Sequence, residues 1–348
     1  MDLRTHLLAG QVIPAHPLAL DRNRKFSEKH QRALTRYQLA AGVGGLAVGV
    51  HSTQFEIRDQ QHGLFKPVLE LAAETAAREI NAKPRNVALI AGVCGKTPQA
   101  VQEAELARSL GYHGGLVSMA AFKTEPEEDI LRHVATIAQT LPVVGFYLQP
   151  AVGGRVFSYA FWRRFAEIPE VVAIKIAPFN RYQTIDVVRA VAASGREDIA
   201  LYTGNDDTIV SDLLTPFTFD VGTRKVTRRI VGGLLGHWGV WTQAAVRLFA
   251  EAQAAARLSA IPKMWLERAV AVTDMNAAVF DSAHHFHGCI PGILEVLRRQ
   301  GLVETAHCLD PAEVLSPGQA AELDRVSAAY PELTDDDFVA EHRDHWLT

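Results

Sequence analysis

An eight-stranded (β/α)₈ barrel followed by a helical extension is the fold this sequence predicts. Three observations predict it. Short aliphatic or β-branched runs recur at a spacing of roughly 30 residues, and eight of them can be counted. Most are continuously apolar rather than alternating, as befits strands covered on both faces of a parallel sheet. The 348 residues suit one barrel of about 250 residues plus an extension. A doubly wound open sheet is the alternative, because local pattern does not say whether a sheet closes. The count of eight favours the barrel.

The strand runs are Gln11–Ala15, Gly45–Val50, Val87–Ala91, Gly115–Ser118, Val143–Tyr147, Val171–Ile176, Ala200–Thr203 and Gly239–Thr242. Amphipathic helical patterns lie between them. Ser27 opens one that runs to Ala41, with Gly42 as its stop. Thr97-Pro98 opens another, closed by Gly111, with proline at the first helical position. Glu125-Pro126 starts a third, whose acidic first turn (Glu127, Glu128, Asp129) suits the positive end of the helix dipole. Thr218–Val221, Gly222-Thr223 and Arg224–Arg228 read as a small hairpin inserted before the last strand. Beyond Gln243 the periodicity is helical over Ala244–Leu258, Pro262–Phe280, Ile293–Gln300 and Pro317–Tyr330. The expected division is therefore a catalytic barrel over residues 1–245 and a helical extension over 246–348.

Composition narrows the function. Lys and Arg total 35 against 39 Asp and Glu, a net charge of −4, so no broad basic face offers itself to nucleic acid. Cys94, Cys289 and Cys308 are too few for a disulfide framework and suit a reducing compartment. The N-terminus lacks the basic-then-apolar order of a signal peptide. The most apolar run, Leu39–Val50, is well short of the ~20 residues needed to span a bilayer. A cytoplasmic protein without nucleic-acid or membrane partners is expected.

In a barrel the chemistry gathers at the carboxyl ends of the strands. Lys175 stands out there, inside the otherwise apolar run Val171–Ile176. Burial pushes a lysine toward its neutral, nucleophilic amine, the form that condenses with a carbonyl to a Schiff base. A lysine paired with a neighbouring carboxylate is the plainer reading. Tyr147 ends the preceding run and is expected at the same rim, where a phenol can shuttle protons; otherwise it is a core tyrosine. Ser52 and Thr53 follow the second run, where two hydroxyls beside backbone N–H groups can hold a carboxylate. They equally fit an ordinary Ser/Thr-rich turn.

The order of these strand-end motifs resembles the dihydrodipicolinate synthase/N-acetylneuraminate lyase family of class I, pyruvate-dependent aldolases. Its Gly-Thr-Thr-Gly-Glu corresponds to His51-Ser52-Thr53-Gln54-Phe55, and its Tyr-Asn-x-Pro to Tyr147-Leu148-Gln149-Pro150. Its Ile-Lys is matched by Ile174-Lys175, and its Gly-Asp/Asn-Asp by Gly204-Asn205-Asp206. Its Gly-Val-Ile-Ser is similar to Gly239-Val240-Trp241-Thr242. The resemblance covers about residues 10 to 245. It implies an imine between Lys175 and a 2-keto acid, Tyr147 as proton shuttle, and Ser52 and Thr53 as the carboxylate grip. Val240 is implied at the pocket floor, and Gly204 and Asn205 are implied in substrate binding. An aldehyde would be the second substrate, no cofactor or metal is called for, and a homo-oligomer, tetramer or dimer, is implied.

Departures from the family pattern point away from dihydrodipicolinate synthase itself. The family's Pro-Tyr-Tyr is Ala120-Ala121-Phe122 here, so a relay hydroxyl is missing. The arginine that holds the second substrate's carboxylate aligns with Val152, although Arg155 is near. Phe122 and Trp241 make the second-substrate side look bulkier. Two other signals are weaker. His284, His285, His287 and Cys289 could bind zinc but lack a second ligand pair. Gly92–Thr97 resembles a phosphate loop except that Ile90 stands where glycine is required. The rival readings are a metal-dependent barrel lyase, with Asn205-Asp206-Asp207 as ligands, and a keto-acid-binding relative without turnover.

Overall fold

The computed structural model describes residues 1–348. Eight strands belong to one sheet: β1 (Val12–Pro14), β2 (Gly45–Val48), β3 (Ala88–Val93), β4 (Gly114–Ser118), β5 (Val143–Leu148), β6 (Val171–Ala177), β7 (Ala200–Thr203) and β10 (Ile230–Leu235). Their order is β1-β10-β7-β6-β5-β4-β3-β2. A parallel bridge between Ala15 and Ala47 joins the two ends of that order, so the sheet is a nearly closed barrel. The inserted hairpin is present as β8 (Phe217–Val221) paired antiparallel with β9 (Arg224–Arg228).

The eighth barrel strand is a correction. The expected run Gly239–Thr242 is instead the end of a 3₁₀ turn (His237–Gly239) and the start of a helix. The true strand, Ile230–Leu235, carries Gly232-Gly233, which dilutes its β-branched signal. Gly232 is needed there, because a Cβ would lie 2.6 Å from both the Gln11 carbonyl oxygen and the Tyr202 ring.

Contacts divide the chain into two compact units. The first comprises residues 1–11, 88–234 and 252–262. It holds β3 to β10 with helices α1 (Leu3–Leu8), α4 (Thr97–Ser109), α5 (Glu127–Ala138), α6 (Tyr159–Phe165), α7 (Arg181–Ser194) and α8 (Ile209–Leu214). α1, capped by the Asp2 carboxylate on the Thr5 N–H, covers the amino ends of the strands. There Arg4 donates to the Pro169 carbonyl and Tyr202 donates from its hydroxyl to the Leu7 carbonyl at 2.8 Å. The outer layer is apolar and aromatic, with Phe161, Trp162 and Phe165 of α6 buried against the sheet.

The second unit comprises residues 12–87, 235–251 and 263–348. It holds β1, β2 and helices α2 (Glu28–Ala41) and α3 (Phe65–Ala82). Within it also lie α10 (Met264–Phe280), α11 (Cys289–Arg299), α12 (Gln319–Ala329) and α13 (Asp336–Trp346), the last with no counterpart in the expected pattern. A further helix, α9 (Thr242–Ala255), begins here. α2 ends as expected at Gly42 in the left-handed conformation (φ 99°), but the Ser27 hydroxyl pairs with His30 rather than with the backbone. One apolar cluster joins Ala33, Leu34 and Tyr37 to Met275, Ile293, Leu323 and Trp346. No helix is long and apolar enough to cross a membrane.

Candidate active site

Lys175 lies on β6 and is 8% exposed. Register aligns Ser118, Phe146, Lys175 and Tyr202 across β4, β5, β6 and β7. Residues aligned across a parallel sheet share a face, so these four form one inner row. The ammonium nitrogen sits 4.5 Å from the centre of the Phe146 ring. Burial lowers the Lys175 pKa to about 8, while the charge of Asp206 opposes that fall.

The chain at the end of β7 is shaped around this lysine. A Cβ on Gly204 would stand 2.5 Å from Lys175 Cε and 2.7 Å from Ala177 Cβ, so only glycine leaves the side chain its path. Asn205 is spent on scaffolding: its amide donates to Thr184 Oγ1 (3.1 Å) and Asp212 Oδ2 (3.0 Å), and its carbonyl oxygen accepts from the Phe179 N–H. Asp212 also takes the Thr203 hydroxyl and pairs with Arg181. Asp206, the next residue, is 5% exposed and is the charge that acts on Lys175. The sequence assigns Gly204 and Asn205 to substrate binding by family resemblance, and otherwise reads Asn205–Asp207 as metal ligands or a helix cap, with no separate role for Asp206. The signal available was the acid that directly follows the Gly-Asn pair.

Tyr147 is not brought to Lys175, which corrects the sequence expectation. Side chains alternate along a strand, and Phe146 holds the inner position. A Cβ on Gly145 would abut the Phe165 ring of α6 at 2.7 Å, so Gly145 and Tyr147 face the helix layer. The Tyr147 ring packs on Trp162 (4.9 Å between centres) and Phe157, and its hydroxyl accepts from the Phe157 N–H at 3.4 Å. Burial raises its pKa.

The residues expected on the second-substrate side are likewise engaged. Phe122 packs on His133 and beneath the Lys96 ammonium. Arg155 donates to the Glu125 carbonyl at 2.6 Å and lies over Phe157, and Val152 occupies a 3₁₀ turn.

In the second unit, Ser52 and Thr53 lie in the 3₁₀ turn His51–Thr53 after β2. The Thr53 hydroxyl donates to the His16 carbonyl (2.7 Å) and accepts from the Gly49 and Val50 N–H groups. It is a structural clasp, whereas the buried Ser52 Oγ lies by Gly236, 3.4 Å from where a Cβ would be. Gln54 follows at φ 67°, the position of the family's glycine, and its Oε1 accepts from the Leu309 N–H. Val240 and Trp241 are corrections too. Both are buried in the helical cluster with Tyr37 and Met275, a consequence of the eighth strand lying earlier in the chain. The His284–Cys289 segment forms a turn around Asp281, which binds His284, the Gly288 N–H and Ser316.

A nearly closed (β/α)₈ barrel whose sixth strand buries a lysine of lowered pKa is the class of molecule these features define. Comparison with known proteins goes further. Residues 9–235 match the profile described as the Dihydrodipicolinate synthetase family. A 4-hydroxy-tetrahydrodipicolinate synthase from Nitratidesulfovibrio vulgaris is 24% identical over 192 residues, 54% of this chain. The chain thus spans about three fifths (61%) of that relative's length. An N-acetylneuraminate lyase from Citrobacter koseri is 28% identical over 219 residues, 61% of this chain and 68% of the lyase. The solved structure of Fusobacterium nucleatum N-acetylneuraminate lyase complexed with pyruvate superposes with a TM-score of 0.72 at 18% identity, covering 93% of this chain and 98% of the other. That likeness shows the fold. The chain belongs to the dihydrodipicolinate synthetase family.

Proposed function

We propose that this protein is a Schiff-base-forming lyase or aldolase acting on pyruvate or a related 2-keto acid, with Lys175 as the imine-forming residue. The supporting observation is the burial of that lysine, with a pKa of about 8, on a strand end cleared by Gly204. At pH 7.5 roughly a quarter of such an amine is neutral, against about one in a thousand for an unperturbed lysine. The neutral amine attacks the keto carbon, and the protonated imine then draws electrons from the neighbouring carbon to give an enamine. Of the two hydroxyls predicted to hold the carboxylate, Ser52 is the one not committed to the backbone. By family resemblance the second substrate is an aldehyde, residues 1–245 form the catalytic barrel and 246–348 the extension, and the chain is a homo-oligomer. Three cysteines with no disulfide among them suit a reducing, cytoplasmic location.

Borohydride added with pyruvate should leave a reduced adduct on the peptide containing Lys175 and abolish turnover. Full trapping by Lys175→Ala would refute the assignment. A second reading, keto-acid binding without turnover, draws on the outward-facing Tyr147; adduct formation with no aldehyde-dependent turnover across an aldehyde panel would favour it.

The same reading makes the protein a poor dihydrodipicolinate synthase. Val152 supplies no guanidinium, and Arg155 is held by a carbonyl and an aromatic face. Lack of a charge-assisted partner for the aldehyde's carboxylate costs about 2–5 kcal/mol. A coupled assay with pyruvate and aspartate semialdehyde should give kcat/KM below about 10⁴ M⁻¹s⁻¹, the low end for enzymes. Faster turnover would sink this exclusion.

A further inference from the structure

We propose that Phe280, carried in by the helical extension, is a specificity-determining residue at Ser52: its ring tip fills the space beside that hydroxyl and restricts the seat to a flat, unesterified carboxylate. This rests on Ser52 holding the carboxylate of a 2-keto acid. Ser52 and Gly236 follow the carboxyl ends of β2 and β10, where barrel chemistry gathers. The end of β1 joins the two: the Ala15 N–H donates to the Leu235 carbonyl (2.9 Å), and the His16 N–H to the Ala47 carbonyl (2.8 Å). A Cβ on Gly236 would stand 2.7 Å from Phe280 Cζ and 3.4 Å from Ser52 Oγ, so ring tip and hydroxyl flank one point. Gly236 has φ −67° and ψ −41°, a conformation open to any residue, so the space taken by the ring is what calls for glycine. Ser52 is 2% exposed, and its hydroxyl has no hydrogen-bond partner within the protein. A buried hydroxyl without a partner is disfavoured, and an anionic oxygen would complete it.

Two buried side chains hold the helix end that carries this ring. Phe280 is the last residue of α10, and Asp281 behind it takes the left-handed conformation (φ 57°), which stops the helix there. The Asp281 carboxylate accepts from the Gly288 N–H and the Ser316 hydroxyl. The Gln319 amide nitrogen lies 3.2 Å from the Ala278 and Val279 carbonyl oxygens and 3.0 Å from that of Gly288. The ring is packed into the apolar cluster of the extension, which fixes where its tip lies. The rim of an aromatic ring is the positive part of its quadrupole. A carboxylate at Ser52 therefore meets an O–H donor and a positive rim together. An ester methyl meets filled space instead, since a carbon at the Gly236 point would be 2.7 Å from the ring.

The test compares wild type, Ser52→Ala, Phe280→Leu and Phe280→Tyr in imine trapping by cyanoborohydride, at rising concentrations of pyruvate and of methyl pyruvate. Phe280→Leu keeps apolar bulk but withdraws the ring tip. It should raise the pyruvate concentration that gives half the limiting rate by about two- to tenfold, the worth of a lost ring-edge contact. It should also improve methyl pyruvate relative to pyruvate by about 10–200-fold, the worth of one carbon in a close-fitting pocket. Phe280→Tyr puts an oxygen where the tip points, so it should raise half-saturating pyruvate as well and leave the ester excluded. Both effects should fall on half-saturation rather than on the limiting rate. A ring that serves packing alone gives wild-type half-saturation and an unchanged ester-to-acid ratio in the folded variants, and that result overturns the inference. Should Phe280→Leu fail to fold, unchanged half-saturation in folded Phe280→Tyr also overturns it. Raised half-saturation in Ser52→Ala with neither Phe280 variant affected overturns this inference alone. Unchanged half-saturation in Ser52→Ala overturns the carboxylate reading of Ser52, and absence of any wild-type adduct overturns the imine reading; the inference falls with either.

Discussion

Lys175 is held in a state that costs the fold something. Its pKa of about 8 lies below the 10.5 of a free lysine, so between those values the unfolded chain binds a proton that the folded chain does not. Stability therefore rises as pH climbs from 8 to 10.5, and the full penalty applies below 8. Replacing the amine by an apolar group of similar length removes it. Lys175→Met is expected to be more stable than wild type by about 1–3 kcal/mol at pH 7 in urea unfolding, while losing all trapping. No gain in stability would mean that the amine is better solvated than its burial implies. Tyr147→Phe gives a contrasting expectation. Its hydroxyl faces α6 and makes one long hydrogen bond, so trapping should stay within about threefold of wild type, with at most about 1 kcal/mol lost. A slowing of 10² or more would restore the tyrosine to the chemistry.

Helices of the second unit are tied through one buried polar node. Tyr37 of α2 donates to Asp335 Oδ2 at 2.8 Å and accepts from the Thr242 N–H at 2.8 Å. Asp335, just before α13, also takes the Gln243 N–H and the Gln300 amide. Removing the phenol leaves Asp335 Oδ2 with the Gln243 N–H but without its hydroxyl donor, and orphans the buried Thr242 N–H. Tyr37→Phe should cost about 1–3 kcal/mol in denaturant midpoint analysis, and a neutral result would show that water replaces the hydroxyl. None of this pairing is visible in sequence, since Tyr37 and Asp335 are far apart in the chain. The same holds for the eighth strand. Its two glycines weaken the local pattern that marked the other seven, yet packing against Gln11 and Tyr202 demands Gly232.

Three buried histidines set the acid limit of the whole molecule. Burial brings His16, His133 and His237 to a pKa of about 4, against 6.5 unfolded; Lys96 adds to the effect at His133, while Gln38 opposes it at His16. Both His16 nitrogens are occupied, by Gln38 and Thr35, and neither neighbour is a carboxylate. As pH falls below 6.5 the unfolded chain takes up protons that the folded chain refuses, so stability falls until about pH 4. At pH 5 each histidine should subtract about 2 kcal/mol relative to pH 7.5. Thermal unfolding should show Tm dropping steeply between pH 6.5 and 5, and His16→Gln should flatten the drop. A Tm level across that range would count against buried neutral histidines.

Fold class, the lysine and the serine-threonine turn were legible because each is written locally. Apolar runs of strand length, a charge inside one of them and a glycine after a helix act on their own neighbours and leave a readable pattern. What the tertiary structure alone decided was which way side chains point. Tyr147 and Phe146 are adjacent, equally apolar in context and opposite in facing, and only pairing with β6 chooses between them. Val240 moved from pocket floor to helical core for the same reason, because the strand that would have carried it ends at Leu235. Thr53 could hold a carboxylate by composition, but the loop places the His16 carbonyl within reach of its hydroxyl first. Facing and hydrogen-bond commitment depend on partners distant in the chain, and no local window contains them.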